Sequence, residues 1–460
     1  MALKPSAQEL KLARKSLLVF ALSVPLLFSL IGFGLILQGT PVWPGPVSLP
    51  VQRGPILSSE GAVLAEGSAE ARRYPQGRLA ANLVGFSGAL QPDGRFGLEG
   101  LEYSMDARLE SGEPVRITID PVIQAAAERH LHEAAAKHSA ASGAVAIIET
   151  GTGRILAAAS FPSFNPAENP AASDQDQLVN RVFMEAYEPG SVMKPFVIAA
   201  LLEDNRLSIE ESIPAAMSRR VGNKTFRDVT FHEPILSVQD ILRFSSNTGM
   251  INLTERFDSN ELYQWFAKFG FGQDLRVEGM FTRSGILNPW ERWVPQDHAS
   301  ATIGQSLSTT VLQLATAYSI FANDGMLFQP RLLEDAQVDA PRQVLTTNVA
   351  KSLRSMLTYT VEESGLRNSR VPNIQVAGKT GTADIFDHAE GRYLEDTYAL
   401  TFVGMFPAEV PEVTIVVSLQ RTPEGSTSTT VAGPLFREIG TEVAARLGIN
   451  PRPEVLAKQR

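Results

Sequence analysis

The chain has 460 residues, a length that corresponds to two or three folding units at about 150 residues each. A hydrophobic fraction of 44% and a charged fraction of 20% are typical of a globular protein, which excludes wholesale disorder, and the net charge of −9 argues against a nucleic-acid-binding surface. Cysteine is absent, which excludes disulfides, thiolate nucleophiles, iron–sulfur clusters and cysteine-based zinc sites.

The first feature along the chain is an uncharged apolar run over residues 16–38. As a helix rising about 1.5 Å per residue, this run is long enough to cross the hydrocarbon layer of a bilayer. Four of the first 15 residues are lysine or arginine, and the next charge after the run is Arg53. The positive-inside rule therefore predicts a single-pass anchor, with residues 1–15 in the cytoplasm and everything after residue 38 extracytoplasmic, that is periplasmic.

A cleavable signal peptide is the alternative interpretation of this run. Such peptides have an apolar core of about 7–15 residues followed by small residues at the cleavage site. The run here is longer, and bulky, proline-rich sequence follows it. A lipoprotein signal needs a cysteine, which the chain lacks. We therefore predict an uncleaved anchor.

Residues 39–114 are predicted to form a stiff proline-rich linker and then a small pedestal domain. The linker occupies residues 40–50, which show no periodicity. From residue 51 to 112 the chain is rich in glycine and has only short apolar alternations. This composition indicates a β-rich or irregular module that is too short to bury a large core of its own.

From residue 115 the pattern predicts a larger domain that ends at residue 449, before a polar tail at 450–460. Asp120 is predicted to cap a helix that ends near residue 138. Strands and helices in this order favour an α+β fold, in which an antiparallel sheet is flanked by helices and a helical lobe fills the middle. Strands are predicted at residues 115–119, 143–148, 154–159, 374–377, 398–406 and 413–419, and a last helix at 433–447.

The first of three short motifs is Ser191-Val192-Met193-Lys194. If Ser191 opens a helix, Lys194 lies one turn later on the same face, where its amine can reach the hydroxyl. Serine needs a neighbouring base to become a nucleophile, and lysine is a base only when burial or a nearby cation lowers its pKa. Because this spacing is common, a capped surface helix is the alternative if the motif is taken alone.

The other two motifs are Ser245-Ser246-Asn247 and Lys379-Thr380-Gly381-Thr382. Ser245 and Asn247 offer a hydroxyl that can relay a proton and an amide that can hold a peptide carbonyl. Lys379 follows an apolar alternation, so its motif is predicted to lie on a strand that borders a site. Lysine and threonine there suit a carboxylate, and glycine lets a ligand approach the backbone. A phosphate-binding loop would need glycine at position 373, where this chain has asparagine.

The three motifs together form the signature of acyl-serine enzymes that recognise penicillin. The chain resembles the class B, monofunctional penicillin-binding proteins, which are peptidoglycan D,D-transpeptidases. The resemblance extends over nearly the whole chain. Besides the three motifs it rests on Arg53-Gly54-Pro55-Ile56, Gly97-Leu98-Glu99-Gly100-Leu101-Glu102, Val115-Arg116-Ile117-Thr118-Ile119-Asp120 and Ile303-Gly304-Gln305.

The resemblance implies a role for each motif residue. Ser191 is expected to be the acylated nucleophile and Lys194 its general base. Ser245 is expected to relay a proton, and Asn247 to orient Lys194 and the substrate amide. Lys379, Thr380, Gly381 and Thr382 are expected to bind the terminal D-alanine, with the backbone N–H groups of Ser191 and Thr382 as the oxyanion hole. This chemistry needs no cofactor and no metal.

Within the family, Glu188-Pro189-Gly190-Ser191 and Lys379-Thr380-Gly381-Thr382-Ala383 resemble the septal, cell-division branch. Peptidoglycan stem peptides and β-lactams are the expected ligands, and the expected membrane partners are a SEDS-type glycan polymerase and other division proteins. An elongation-branch transpeptidase, a membrane-anchored β-lactam sensor and an anchored β-lactamase are the alternatives. The pedestal is shorter than is usual in the family, which predicts that its head region is truncated.

Overall fold

We describe a computed structural model of the chain, which covers residues 8, 11–12, 14–17, 52–168, 175–387 and 391–449. The predicted anchor at 16–38 lies outside these residues apart from its first two positions, and the tail at 450–460 lies outside them entirely. Among the described residues, no helix is both long and apolar enough to cross a membrane. The described residues from 52 onward belong to one compact unit.

The segment before residue 115 is a small module of short strands and short helices, whereas the composition predicts a β-rich or irregular one. Its sheet has three short strands in the order β2-β1-β3, with β1 paired antiparallel to β2 and parallel to β3. Because β3 begins at Val115, this sheet crosses the predicted domain boundary between residues 114 and 115. The elements are β1 (Ile56–Leu57), β2 (Val63–Ala65), α1 (Ala81–Val84), α2 (Gly100–Ser104), α3 (Asp106–Glu110) and β3 (Val115–Arg116).

A buried ionic cluster holds this module together. Arg53 contacts Glu102 at 3.0 Å and Asp106 at 2.7 Å, and Arg72 contacts the other oxygen of Glu102 at 2.6 Å. The Glu102 side chain has no solvent exposure. The cluster explains why the two pedestal motifs of the sequence occur together, since Arg53 comes from one and Glu102 from the other.

We expect Glu102→Ala to lower the free energy of unfolding by about 3–5 kcal/mol, because two buried guanidinium groups lose their shared counter-ion. Glu66→Ala is the matched control. Glu66 pairs with Arg73, but the two side chains are 38% and 72% exposed, so its loss should change stability by less than about 1 kcal/mol. Denaturant unfolding of both variants measures the difference, and equal losses would contradict the assignment.

The centre of the larger domain is a five-stranded antiparallel sheet in the order β14-β15-β16-β4-β5. Side chains along β4 alternate between two cores: Ala144 and Ala146 contribute to one, and Val145 and Ile147 to the other. Both faces of the sheet are therefore covered, which explains its long apolar runs. The strands are β4 (Ser142–Glu149), β5 (Ile155–Phe161), β14 (Ala377–Asp387), β15 (Arg392–Phe406) and β16 (Val413–Pro423).

Two helices cover one face of this sheet. Helix α4 (Pro121–Lys137) begins at Asp120, whose carboxylate accepts the N–H groups of Val122 and Ile123, as the sequence predicts. The other helix is the last one of the described chain, α14 (Ala432–Leu447), and its apolar residues join those of α4 in the same core.

The opposite face carries the helical lobe. Helix α12 (Val311–Ala322) is buried along its whole length, and Thr310 and Gln313 form a capping box at its start. The remaining helices are α5 (Gln175–Leu178), α6 (Arg181–Met184), α7 (Lys194–Glu203), α8 (Val238–Phe244), α9 (Asn247–Thr254), α10 (Ser259–Lys268), α11 (Pro295–Thr302) and α13 (Thr347–Glu363). Short strands complete the lobe: β6 (Ala186–Tyr187), β7 (Ser212–Pro214), β8 (Ser218–Val221), β9 (Lys224–Arg227), β10 (Ile235–Ser237), β11 (Thr309–Thr310), β12 (Met326–Leu327) and β13 (Arg342–Gln343).

One predicted strand is displaced. The alternation at residues 374–377 predicts a strand there, but β14 begins only at Ala377 and continues through the third motif to Asp387. Ile374 and Val376 are buried in the core as part of the turn that leads into β14. A buried turn and the buried face of a strand produce the same apolar pattern in a sequence. The pattern alone therefore places the start of this strand too early.

Candidate active site

The first motif lies where the lobe meets the edge strand β14. Residues Gly190–Met193 form a single 3₁₀ turn that continues directly into α7, so Ser191 sits at the start of a helical segment. Gly190 has a φ of 64°, and a side chain there would come within 2.9 Å of the Thr382 carbonyl oxygen. Glycine therefore lets the segment that carries Ser191 approach the third motif closely. Among the described residues, the Ser191 hydroxyl makes no hydrogen bond.

Lys194, one turn after Ser191, is fully buried, and two acceptors hold its amine. The amine donates to the Ser245 carbonyl oxygen at 2.5 Å and to Asn247 Oδ1 at 2.8 Å, and its nitrogen lies 3.2 Å from the Ser245 hydroxyl. A neutral amine has two N–H donors, which these two acceptors satisfy. Its lone pair is then available to a hydroxyl.

Lys379, in the third motif, also contacts Ser245. Its amine is buried and lies 3.1 Å from the Ser245 hydroxyl and 3.0 Å from the Thr380 carbonyl oxygen. Burial lowers the pKa of Lys194 well below 10.5, and the neighbouring charge of Lys379 lowers it further. Burial also lowers the pKa of Lys379, from 10.5 to about 7. The Ser245 hydroxyl thus connects two amines that are easily deprotonated.

The second motif forms the turn between α8 and α9. Ser245 follows the last residue of α8 with a φ of 55°, and Ser246 caps α9 by accepting the N–H of Gly249. A left-handed serine is an uncommon backbone state that is found at functional sites. It directs both the carbonyl and the hydroxyl of Ser245 to Lys194.

Asp228 supports this turn, and the sequence did not single it out. Its carboxylate accepts the Asn247 N–H at 2.5 Å, the Thr248 N–H at 3.1 Å and the Ser246 hydroxyl at 2.5 Å, and lies 2.7 Å from His232 Nε2. Burial alone would raise the pKa of Asp228, but these hydrogen bonds together lower it. The carboxylate is therefore an anion at the N-terminus of α9, where the helix dipole favours it.

We expect Asp228→Asn to slow acylation about 10²-fold. The asparagine side chain has an NH₂ group in place of one carboxylate oxygen, and this group would face the N–H and O–H donors that now bind Asp228. Asn247 would then be displaced from Lys194. The charge of Asp228 also raises the pKa of Lys194, so its removal should move the acid limb of the pH–rate profile to lower pH. Acylation kinetics across pH measure both effects, with the exposed Asp339→Asn as control. A rate within twofold of wild type, or an unmoved acid limb, would contradict this role.

The third motif lies on β14, alongside the segment that carries Ser191. A side chain at Gly381 would come within 2.6 Å of the Pro189 carbonyl oxygen and 3.0 Å of Val192, so only glycine allows this packing. The Thr382 hydroxyl lies 2.8 Å from that of Ser428, which itself donates to the Gly381 carbonyl oxygen. Ser428, which is buried, is a second supporting residue that the sequence did not indicate.

The structure thus brings the three predicted motifs together. Lys194, Ser245, Asn247 and Lys379 are connected directly through hydrogen bonds, and Gly381 packs against the segment that carries Ser191. Thr380 is half-buried and Thr382 exposed on the same strand. In the described part of the chain, no group of three histidine, aspartate or glutamate side chains could hold a metal ion.

Comparison with known proteins agrees with this geometry. Residues 143–441 match the model of the penicillin-binding protein transpeptidase domain. The chain is 30% identical over 417 residues to the probable peptidoglycan D,D-transpeptidase PenA of Neisseria gonorrhoeae, covering 84% of this chain and 70% of that protein. It is 27% identical over 446 residues to stage V sporulation protein D of Bacillus subtilis, covering 88% of this chain and 68% of that one.

A solved structure shows the same fold. Penicillin-binding protein 3 of Mycobacterium tuberculosis, complexed with aztreonam, is similar with a TM-score of 0.79 at 29% identity, over 88% of this chain and 98% of that one. The family model and PenA both name transpeptidation as the reaction, and the solved structure has the same fold, so the chain is a peptidoglycan D,D-transpeptidase. The chain belongs to the class B penicillin-binding proteins.

Proposed function

We propose that Ser191 is the nucleophile of this transpeptidase and that Lys194 is its general base. The observation that carries the proposal is the buried Lys194 amine, whose two N–H donors are taken up by Ser245 and Asn247 one helical turn from Ser191. Burial and the nearby charge of Lys379 lower the pKa of Lys194, which favours the neutral amine with a free lone pair. Lys194 can then accept the Ser191 proton as the hydroxyl oxygen attacks.

In the first half of the reaction, Ser191 Oγ attacks the carbonyl carbon of the penultimate D-alanine of a stem peptide. The backbone N–H groups of Ser191 and Thr382 stabilise the tetrahedral oxyanion. Lys194, through the Ser245 hydroxyl, returns the proton to the departing amine. The peptide bond breaks, D-alanine leaves, and an ester to Ser191 remains.

In the second half, an amine of a neighbouring stem peptide attacks the ester carbonyl carbon. Lys194 accepts the proton of the attacking amine and returns it to Ser191 as the ester breaks, which restores the enzyme. Lys379, Thr380 and Thr382 bind the terminal carboxylate of the donor, and Gly381 keeps β14 close to Ser191. β-Lactams acylate the same serine.

We further propose the domain arrangement and location that the sequence predicts. Residues 16–38 anchor the chain in the cytoplasmic membrane with residues 1–15 in the cytoplasm, and residues 39–114 form the linker and pedestal. Residues 115–449 form the catalytic domain on the periplasmic side. The charge asymmetry around the apolar run and the position of the family match inside residues 115–449 support this arrangement.

We also propose that the enzyme acts at the septum, with a SEDS-type glycan polymerase and other division proteins as partners. The glutamate of Glu188-Pro189-Gly190-Ser191 and the threonine of Lys379-Thr380-Gly381 support this branch. A fluorescent fusion of the full chain should concentrate at mid-cell. Labelling along the side wall would instead favour the elongation branch.

Transfer to an added amine tests the catalytic proposal. Purified full-length protein, given a D-alanyl thioester donor and a D-amino acid acceptor, should form a new amide bond that mass spectrometry detects. Ser191→Ala should form neither the acyl-enzyme nor the amide. Hydrolysis of donor and penicillin without transfer would contradict the proposal and indicate a hydrolase of the β-lactamase type.

A further inference from the structure

A cleft of about 600 Å³ adjoins the reaction site beyond Thr382. Its walls come from residues 185–188, just before the nucleophile, from 384–386, just after the third motif, and from parts of the segment 286–308. None of Ser191, Lys194, Ser245, Asn247 and Lys379 lines it. The cleft is therefore placed to hold a part of the substrate that does not react.

Two irregularities of the central sheet fall on the walls of this cleft. The register between β14 and β15 shifts between Asp384 and Phe386, and the register between β15 and β16 shifts between Tyr398 and Leu400. The second shift lies opposite Arg421, a cleft residue with a φ of 54°. Bulges of this kind turn side chains toward sites that regular pairing would not reach.

Most charged groups of the cleft already have internal partners. Glu185 pairs with Arg181 at 3.1 Å, and Asp297 accepts the Val294 N–H. Glu188 accepts the Ser306 N–H at 2.9 Å and the Tyr393 hydroxyl at 3.2 Å.

Two groups of opposite charge in the cleft have no such internal partner among the residues that the structure describes. Within the described ranges, neither the Asp384 carboxylate nor the Arg292 guanidinium makes a hydrogen bond or ion pair, and both line the cleft. The Ser308 hydroxyl oxygen, buried in the same wall, also lacks a described partner. Lys224, the neighbouring amine, donates its hydrogen bonds to Ser300 and Gln305. Its charge acts on Glu188 and Asp384 without a hydrogen bond to either, and burial lowers its own pKa.

Glu188 and Asp384 are close enough to affect each other. Burial raises the pKa of Glu188, its hydrogen bonds and the charge of Lys224 oppose the rise, and the charge of Asp384 adds to it. Two neighbouring carboxylates that repel each other are stabilised in their charged forms when a cation binds between them. A guanidinium and an unsatisfied hydroxyl in the same cleft suit a carboxylate. The cleft therefore presents complementary groups for one ammonium and one carboxylate.

We propose that this cleft binds the zwitterionic side-chain end of a diaminodicarboxylic acid residue, of the diaminopimelate type, in the donor stem peptide. The ammonium lies at Glu188 and Asp384, and the carboxylate lies at Arg292 and Ser308. The donor is the occupant because the acceptor amine must meet the acyl carbon on Ser191, which does not line the cleft. A lysine side chain would leave Arg292 without a partner. This inference rests on the proposed function of Ser191.

Acylation by three donors tests the proposal. The donors are D-alanyl thioesters preceded by diaminopimelate, lysine or norleucine, and intact-mass spectrometry of the full-length protein gives the second-order acylation rate for each. We expect wild type to prefer diaminopimelate over norleucine about 100-fold and over lysine about tenfold, which corresponds to one charge-assisted hydrogen bond for each group.

Two variants separate the two charges. Asp384→Asn should lower the preference for both amine donors over norleucine about tenfold, whereas Arg292→Gln should remove only the preference for diaminopimelate over lysine. Rates are divided by the norleucine rate of the same variant, so a general loss of activity cancels. Glu210→Gln, an exposed carboxylate outside the cleft, is the control and should keep both preferences.

Equal rates with the three donors in wild type would overturn the inference. It would also be overturned if the preference over norleucine survived Asp384→Asn and the preference for diaminopimelate over lysine survived Arg292→Gln. Labelling by a fluorescent penicillin distinguishes this failure from that of the proposed function. If wild type is labelled at Ser191 but shows no preference, only the cleft assignment is wrong. If Ser191 is not labelled at all, the proposed function fails and the inference fails with it.

Discussion

Replacing Lys194 by methionine should slow acylation by a fluorescent penicillin about 10³-fold, because the variant lacks the proposed general base for Ser191. Methionine keeps the length and the apolar stem of the side chain, so the packing of α7 is retained. The rate constant for labelling, measured against wild type, gives the effect.

Stability distinguishes a lost base from a damaged fold. Lys194→Met leaves the Ser245 carbonyl and Asn247 Oδ1 without a donor but also removes a buried amine. These effects oppose each other, so the free energy of unfolding should stay within about 2 kcal/mol of wild type. Lys351→Met, at a lysine whose side chain is 56% exposed, is the control and should label normally. A labelling rate for Lys194→Met within tenfold of wild type would contradict the assignment of the base.

The pH dependence of acylation should be bell-shaped in wild type and lose its alkaline limb in Lys379→Met. Below the lowered pKa of Lys194 the amine is protonated and cannot act as a base, so the rate falls as pH falls. Above about 7, Lys379 in the free enzyme loses the charge that binds the substrate carboxylate, so the rate falls as pH rises. Because both amines contact Ser245, the two limbs of the pH profile give apparent pKa values that belong to the coupled pair Lys194 and Lys379 and not to either lysine alone.

Lys379→Met should have two further effects. The rate at the optimum should fall about 10²-fold with the loss of the charged hydrogen bond to the carboxylate. The acid limb should move to higher pH, because the charge of Lys379 contributes to the lowered pKa of Lys194. An acid limb that stays in place would show that the two amines do not interact.

The catalytic motifs and the main sheet could be predicted from the sequence because their signals are local. Asp120 caps its helix through residues only two and three positions away. Strands β4 and β5 are short apolar runs that meet at a glycine-rich turn. Ser191 and Lys194 are one turn apart, so their proximity follows from helical geometry.

The supporting residues could not be predicted, because their contacts are long-range. Asp228 reaches Asn247 across 19 positions, and Ser428 reaches Gly381 across 47, with no spacing rule that links them. His232 lies four residues after Asp228, but a single aspartate–histidine spacing in a loop does not indicate a buried pair. The pairing of Val115 with Ile56 is also long-range, and the two-residue strand that contains Ile56 carries no periodicity.

Mapping of the residue that penicillin acylates tests the central claim most directly. Full-length protein treated with a fluorescent penicillin, digested and analysed by mass spectrometry, should carry the adduct on the peptide that contains Ser191, and Ser191→Ala should carry none. An adduct on another residue, or undiminished labelling of Ser191→Ala, would contradict the claim that the buried Lys194 amine activates this one hydroxyl.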